Sequence, residues 1–268
     1  MSNKRTIGAL LFAAGTAAFL LAGQVSTAAA APVHAPHGLN PGIAPGGNFD
    51  LSRWELQLPT GTTNHTTTIS PTQLEGANGY QSKFFFTNTT DGSMSFWDPE
   101  NGVTLGSKFP RTELREMTAS GTEIEWSIPG THMLSATLKV TVLPDHVAVG
   151  QIHLDNSSGS SKPLLELFYY KNGNVDLAIE QTPAGGNEVH HVVGNVPLGT
   201  QWSYVISLTN SNTIGISLNG TNHTFTMPSA FNGIKMYFKA GDYDQSFGSS
   251  SKIGARVQFY ALNVFHGA

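Results

Sequence analysis

The chain has no cysteine among its 268 residues. That excludes a disulfide framework, a thiolate metal site and a thiol nucleophile together. Charge is scarce as well: Asp, Glu, Lys and Arg make up 12% of the residues, and acidic groups outnumber basic ones by 18 to 14. No global basic field is present to attract nucleic acid, so recognition of any anion falls to a few local cations. Helical periodicity is nearly absent. The best helical candidate is residues 70–75, a Ser cap followed by Pro, only a turn or two long.

One long apolar stretch exists, at residues 7–23, but it is short for a membrane span and interrupted by Gly and Thr. Lys4 and Arg5 precede it and an alanine run at 28–31 follows, the pattern of a secretory signal peptide over 1–31. The expectation is therefore an exported, extracellular protein with no membrane association after cleavage. Removing that segment leaves 12 Lys and Arg against 18 Asp and Glu, a formal charge of −6. Residues 32–47, rich in Pro, Gly and His, read as a flexible lead-in. His34 and His37 lie there without a third ligand nearby, so no metal or other cofactor is expected.

From residue 48 to 268 short strands follow one another, separated by turn residues. The runs are 83–87, 93–97, 111–118, 134–142, 147–154, 164–170, 175–180, 189–193, 202–208, 213–218, 234–240 and 257–265. Asn172-Gly173 and Asn219-Gly220 read as type I′ hairpin turns. Many strands without helical crossovers imply antiparallel sheets, and the expected fold is an all-β sandwich of jelly-roll type with a concave groove. Nothing in the sequence calls for an oligomer, and the protein is expected to act as a monomer.

Three polar stripes stand out in this apolar background. In Arg111-Thr112-Glu113-Leu114-Arg115-Glu116 the two-residue period of a strand puts Arg111, Glu113 and Arg115 on one face. Two guanidiniums about a carboxylate suit a carboxylate-binding platform, with Glu113 holding both arginines. In Gln151-Ile152-His153 the polar pair shares a face while Ile152 turns to the core. In the stretch 237–245, Tyr237, Lys239, Tyr243 and Gln245 share a side if the chain stays extended, although Gly241 could mark a bulge. Combined, the stripes offer cations, amides, hydroxyls and an imidazole to an anionic polysaccharide.

RTELRE at 111–116, QIH at 151–153 and YFKAGDYDQ at 237–245 resemble, in order and spacing, the signature blocks of polysaccharide lyase family 7, the alginate lyases. The segment FDLSRWELQLP at 49–59 is similar to the start of that domain, so the resemblance spans nearly all of 48–268. It implies a β-jelly roll. It also implies catalytic positions at Arg111, Gln151, His153 and Tyr243, and substrate-contacting or organising positions at Glu113, Arg115, Lys239 and Gln245. Tyr237 joins the latter through its place on the same stripe. The isoleucine form QIH accompanies activity on guluronate-containing chains in that family.

The implied reaction removes the C5 proton of a 4-linked uronate and expels the C4 oxygen. Arg111 and Gln151 would neutralise the uronate carboxylate, neutral His153 would act as base, and Tyr243 as acid. For the C5 epimer, ionised Tyr243 would serve as both, its pKa lowered by Lys239 or Arg115. Two other enzyme readings and one binding reading compete. A glycoside hydrolase needs paired carboxylates, yet Glu113 and Glu116 point to opposite faces of a strand. A lyase for another polyuronate, such as glucuronan, and a non-catalytic carbohydrate-binding sandwich are the others.

Overall fold

The computed structural model describes residues 38–62 and 64–267. The expected signal segment, His34 and His37 lie outside the described residues. Among the described residues two short α-helices, α1 (Pro45–Asn48) and α2 (Pro71–Leu74), accompany fifteen strands. These are β1 (Trp54–Thr62), β2 (His65–Ile69), β3 (Phe85–Thr87), β4 (Met94–Pro99), β5 (Thr112–Glu116), β6 (Thr131–Val142), β7 (His146–Leu154) and β8 (Pro163–Tyr170). The rest are β9 (Asn174–Glu180), β10 (Glu188–Asn195), β11 (Trp202–Thr209), β12 (Thr213–Leu218), β13 (Thr221–Thr226), β14 (Met236–Asp244) and β15 (Gly254–Gly267).

The strands form two antiparallel sheets, ordered β10-β9-β8-β7-β14-β5-β1-β2 and β13-β12-β11-β6-β15-β4-β3. This is the β-sandwich jelly roll that the strand pattern implies. The sheets meet through alternate residues. Leu56, Leu114, Ile152 and Phe238 from the first pack against Leu134, Leu138, Tyr204, Ile206 and Phe259 from the second, all essentially unexposed. Each such side chain contributes about 1.5–3 kcal/mol by leaving water. The same alternation turns the intervening residues of β5, β7, β8 and β14 outward, onto one polar face.

β-Bulges shape that face. The β14–β7 register slips between Ala240 and Tyr243, and the β7–β8 register slips between Ala148 and Gly150 and again between Ile152 and His153. Gly241, at φ +150°, lies so close to β5 that a Cβ would stand 2.8 Å from both Glu113 Cα and the Thr112 carbonyl oxygen. At Gly150 a Cβ would stand 2.6 Å from the Tyr204 hydroxyl, which instead donates to the Val149 carbonyl at 2.9 Å. The hydroxyl thereby satisfies an acceptor buried at the irregularity.

The flexible lead-in needs correction. Its described part, from residue 38, is folded onto the domain: Ala44 is buried, its N–H donates to the Ala77 carbonyl at 2.9 Å, and Gly46 bridges to Glu75. Asn172-Gly173 also differs from expectation. Only Gly173 has positive φ, and its N–H returns to the Tyr170 carbonyl, so this is a three-residue loop with glycine at the left-handed position. Asn219-Gly220 has positive φ at both residues, as a type I′ turn requires. α2 starts as anticipated, with the Ser70 N–H donating to Gln73 Oε1 at 3.0 Å.

Two polar clusters interrupt the core. Glu116, wholly buried, accepts from Trp126 Nε1 and the Phe238 N–H, each at 3.0 Å, and pairs with His266. It ties three strands together on the side away from Glu113. In the second cluster, Asp98, Asp242 and Asp244 are all unexposed. Asp98 accepts the Asp244 N–H at 3.1 Å, whereas neither carboxylate oxygen of Asp242 has a hydrogen-bond partner among the described residues. Burial first, and then mutual repulsion, pushes Asp98 and Asp242 well above the usual carboxylate range.

Candidate active site

A row of facing residues crosses five strands on the outer face of the larger sheet. Glu55 pairs with Arg115, Arg115 with Lys239, Lys239 with Gln151, and Gln151 with Glu166. A cleft of about 610 Å³ opens over this face. Arg111, Gln151, His153 and Tyr243 line it, and so do Tyr237, Lys239 and Gln245. The structure thus brings seven of the nine expected residues to one cavity, from β7, β14 and the adjoining ends of β5 and β14.

The other two lie beside or beneath it. Glu113, with no exposed surface, forms the floor. Its carboxylate accepts from Gln151 Nε2 at 2.5 Å, pairs with Arg111 Nη1 at 3.3 Å, and pairs with Lys239 Nζ. Arg115 corrects the expected platform: Glu113 does not hold it. Its guanidinium lies 4.1 Å from the Tyr237 ring centroid and pairs with Glu123 at 3.2 Å, outside the cleft lining. The carboxylate therefore organises one guanidinium, one ammonium and one amide. Burial and the Arg111 charge push Lys239 down to about 8, against the pull of Glu113.

His153 is stacked on Tyr237, ring centroids 5.1 Å apart. Its Nδ1 lies 2.9 Å from the Leu154 carbonyl oxygen, which can only accept. The neutral ring must therefore carry its proton on Nδ1, leaving the Nε2 lone pair unprotonated. Burial, followed by the charges of Lys239, Arg111 and Arg115, pushes the imidazole pKa down to about 3. His153 is neutral in the free protein across the whole physiological range.

Tyr243 lies against Arg111, whose guanidinium carbon is 3.8 Å from the ring centroid. Arg111 is also steadied by donating to Ser107 Oγ at 3.1 Å. Burial raises the phenol above its ordinary range, and Arg111 only partly opposes the rise. The expected lowering by Lys239 or Arg115 is thus not found. Desolvation outweighs the cation, and the cation concerned is Arg111. Tyr243 rests protonated, ready to donate.

Several cleft residues were missed in the sequence: Gln57, Ser107, Lys162, Glu166, Glu180 and Glu188. Glu166 left a readable signal, a single carboxylate inside the apolar run Leu164-Leu165-Glu166-Leu167-Phe168. Ser107 and Lys162 sit in loops, where no period announces a facing direction. Among the described residues no group of three or more His, Asp or Glu is placed to hold a metal ion. No described helix is long and apolar enough to cross a membrane.

The alginate lyase family profile matches residues 49–266, a span that includes every residue of this cleft. The chain belongs to the alginate lyase family. A curated alginate lyase from Klebsiella pneumoniae is 26% identical, with 84% of this chain and 92% of that protein covered. Among solved structures, the family 7 alginate lyase A1-II′ in complex with a product, GGG, is 34% identical with a TM-score of 0.75, covering 84% of this chain and all of the other. The alginate lyase PA1167 of Pseudomonas aeruginosa is 33% identical with a TM-score of 0.74, covering 81% and 99%. A further A1-II′ structure holds a substrate, GGMG. Alginate lyase identity makes this chain a polysaccharide lyase, which sets aside the hydrolase and the non-catalytic sandwich.

Proposed function

We propose that this alginate lyase is an exported enzyme that cleaves 4-linked uronate chains by β-elimination, with guluronate-containing blocks among its substrates. The observation that carries the reading is the convergence, in one cleft, of Arg111 and Gln151 with a His153 whose Nε2 is free and a Tyr243 that is protonated. In the proposed reaction a base takes the C5 proton, the C4=C5 double bond forms, and the C4–O bond breaks. The departing oxygen takes a proton, and the product carries a 4,5-unsaturated uronate at its non-reducing end.

A uronate carboxylate resists further negative charge, so donors must neutralise it as the C5 carbanion develops. Arg111 supplies a guanidinium, and Gln151 keeps a second amide N–H beyond the one given to Glu113. Prearranged donors of this kind are worth about 3–4 kcal/mol each in other enzymes. His153 takes the C5 proton where the epimer presents it to Nε2. An imidazole held near 3 is a poor base in the empty site. An anion bound beside it adds negative charge that offsets part of the repulsion from Lys239 and Arg111, and so raises its basicity for the step. Tyr243 protonates the leaving oxygen, and for the other epimer its ionised form serves as base first.

The guluronate assignment rests on the QIH form at 151–153 and on the GGG and GGMG ligands of the A1-II′ relatives. Ile152 is fully buried, so its influence passes through the placement of Gln151 and His153. Export rests on the pattern at 1–31. The test is purified protein with chelator and no added metal, given polyguluronate and polymannuronate separately, followed at about 235 nm, where the conjugated product of the elimination absorbs. A rise on polyguluronate supports the proposal. Folded protein with no rise on either polymer sinks it, and growth of reducing ends without absorbance points to hydrolysis. Fractionation of the producing culture tests export.

A further inference from the structure

Glu166 occupies an unusual position. It lies in the middle of β8, flanked by the fully buried Leu165 and Leu167, and is itself only 8% exposed. Its side chain lines the cleft. On one side it faces Gln151 on β7, whose amide is directed to Glu113, and on the other it faces Ala178 on β9, which offers no polar atom from its side chain. No donor among the described residues forms a hydrogen bond or ion pair with it. The neighbouring carboxylates differ in this respect: Glu180 accepts the N–H groups of Gly186 and Asn187 at 2.7 and 3.0 Å, and Glu188 pairs with His190 at 3.4 Å.

A buried carboxylate with no partner would be expensive to keep ionised. Four charged groups act on it most strongly, and Lys162 and Glu180 line the same cleft. Glu188 on β10 and Glu113 on β5 disfavour its ionisation, while Arg111 beside β5 and Lys239 on β14 favour it. Burial outweighs them all, and the carboxyl is pushed up to about 8. At neutral pH it presents an O–H donor to the cleft instead of a negative charge. A uronate chain is covered in acceptors, namely its hydroxyl and carboxylate oxygens. A carboxylate here would repel such a chain, whereas a carboxylic acid binds it.

We propose that Glu166 is a substrate-binding residue that meets the uronate chain as a neutral carboxyl, donating its O–H to a substrate oxygen next to the sugar whose carboxylate engages Gln151. This rests on the polyuronate lyase reading and adds a contact that gives binding its own alkaline limit. Above pH 8 the group ionises, and the affinity for an anionic polymer falls.

The experiment measures KM and kcat on polyguluronate from pH 6.5 to 9.5 for wild type, Glu166→Ala and Glu166→Gln. Losing one hydrogen bond raises KM at pH 7 roughly three- to tenfold in the alanine variant, with a smaller change in kcat. Glutamine keeps a donor and cannot ionise, so it recovers most of that loss. It also shrinks the ratio of KM at pH 9 to KM at pH 7 by roughly threefold or more relative to wild type. Lys239 titrates in the same range, but its contribution persists in both variants and so separates from that of Glu166. An unchanged KM ratio in Glu166→Gln overturns the proposal even if the alanine variant does not fold. So does an alanine variant with wild-type KM. In either case an active wild type leaves the lyase reading standing, whereas a folded wild type without turnover overturns both.

Discussion

The guanidinium of Arg111 lies over the ring of Tyr243, its central carbon 3.8 Å from the centroid, while its Nη1 reaches the buried carboxylate of Glu113. One side chain thus joins the floor of the cleft to the phenol proposed to protonate the leaving group. Its extended plane of donors lets it cover the ring while Nη1 meets Glu113 and Nη2 meets Ser107, which a point charge could not do.

Replacing Arg111 by lysine preserves the charge and removes the plane. We expect kcat on polyguluronate to fall by roughly 10²- to 10³-fold, the usual cost of a lost transition-state donor. Circular dichroism should be unchanged. A kcat within about threefold of wild type would show that charge alone suffices, contrary to the stacking argument.

His153 gives a prediction about pH. Because burial and the surrounding cations hold it near 3 in the free protein, kcat/KM should show no acidic limb at the ordinary histidine value near 6.5. Such a limb in wild type, lost in His153→Asn, would contradict the described environment. Full activity of His153→Ala on every alginate block would remove His153 from the chemistry altogether.

Glu113→Gln leaves Arg111 and Lys239 facing each other without their shared anion. Breaking a buried ion pair in this way costs about 3–5 kcal/mol. For a domain of this size the melting temperature should drop on the order of 10 °C. Lys239 loses the partner that raises its pKa, so it should deprotonate nearer neutrality. Calorimetry checks the first effect, and the pH dependence of KM checks the second. A variant as stable as wild type would show that Glu113 is dispensable to the floor.

Asp242 links stability to pH. In the folded protein its carboxyl is held well above the ordinary range, whereas in the unfolded chain it ionises near pH 4. The folded state therefore retains a proton that the unfolded state gives up. The resulting penalty on folding is absent below about pH 4 and grows as pH rises toward the folded-state pKa. Asp242→Asn removes it, and with neither oxygen hydrogen-bonded in the wild type no such bond is forfeited. The variant's melting temperature should equal or exceed that of wild type at pH 8, with the gap narrowing toward pH 4. A gap that does not change with pH would sink this account.

The twelve strands read from the sequence all exist. β6, β11 and β12 largely alternate buried and partly exposed residues, whereas β8, β9 and β14 are buried along nearly their whole length and are marked by continuous apolar and aromatic runs. The strands that went unread are β1, β2 and β13. β2 and β13 each form one outer edge of a sheet and carry threonine, histidine and asparagine where a covered strand would alternate, so no period marks them. β1 begins in the segment 49–59, whose sequence resembles the start of the family domain. The polar stripes predicted which residues share a face, and seven of nine reached the cleft. Which partner each would take was not legible. Arg115 sits on the correct strand, yet Glu123 in a neighbouring loop captures it. Likewise, the pKa of Tyr243 depends on how deeply the ring is buried, a property of the packed sheets that no local spacing reports.

Between turnovers the cleft faces a problem common to sites that grip anions: crowded cations repel each other and scatter when the ligand leaves. Here Glu113 acts as a permanent resident counter-ion. Arg111, Lys239 and Gln151 are aligned around it with no chain present, so the idle site already has its donors gathered. A sugar that enters meets donors that do not have to be gathered first, so less ordering is left for binding to accomplish.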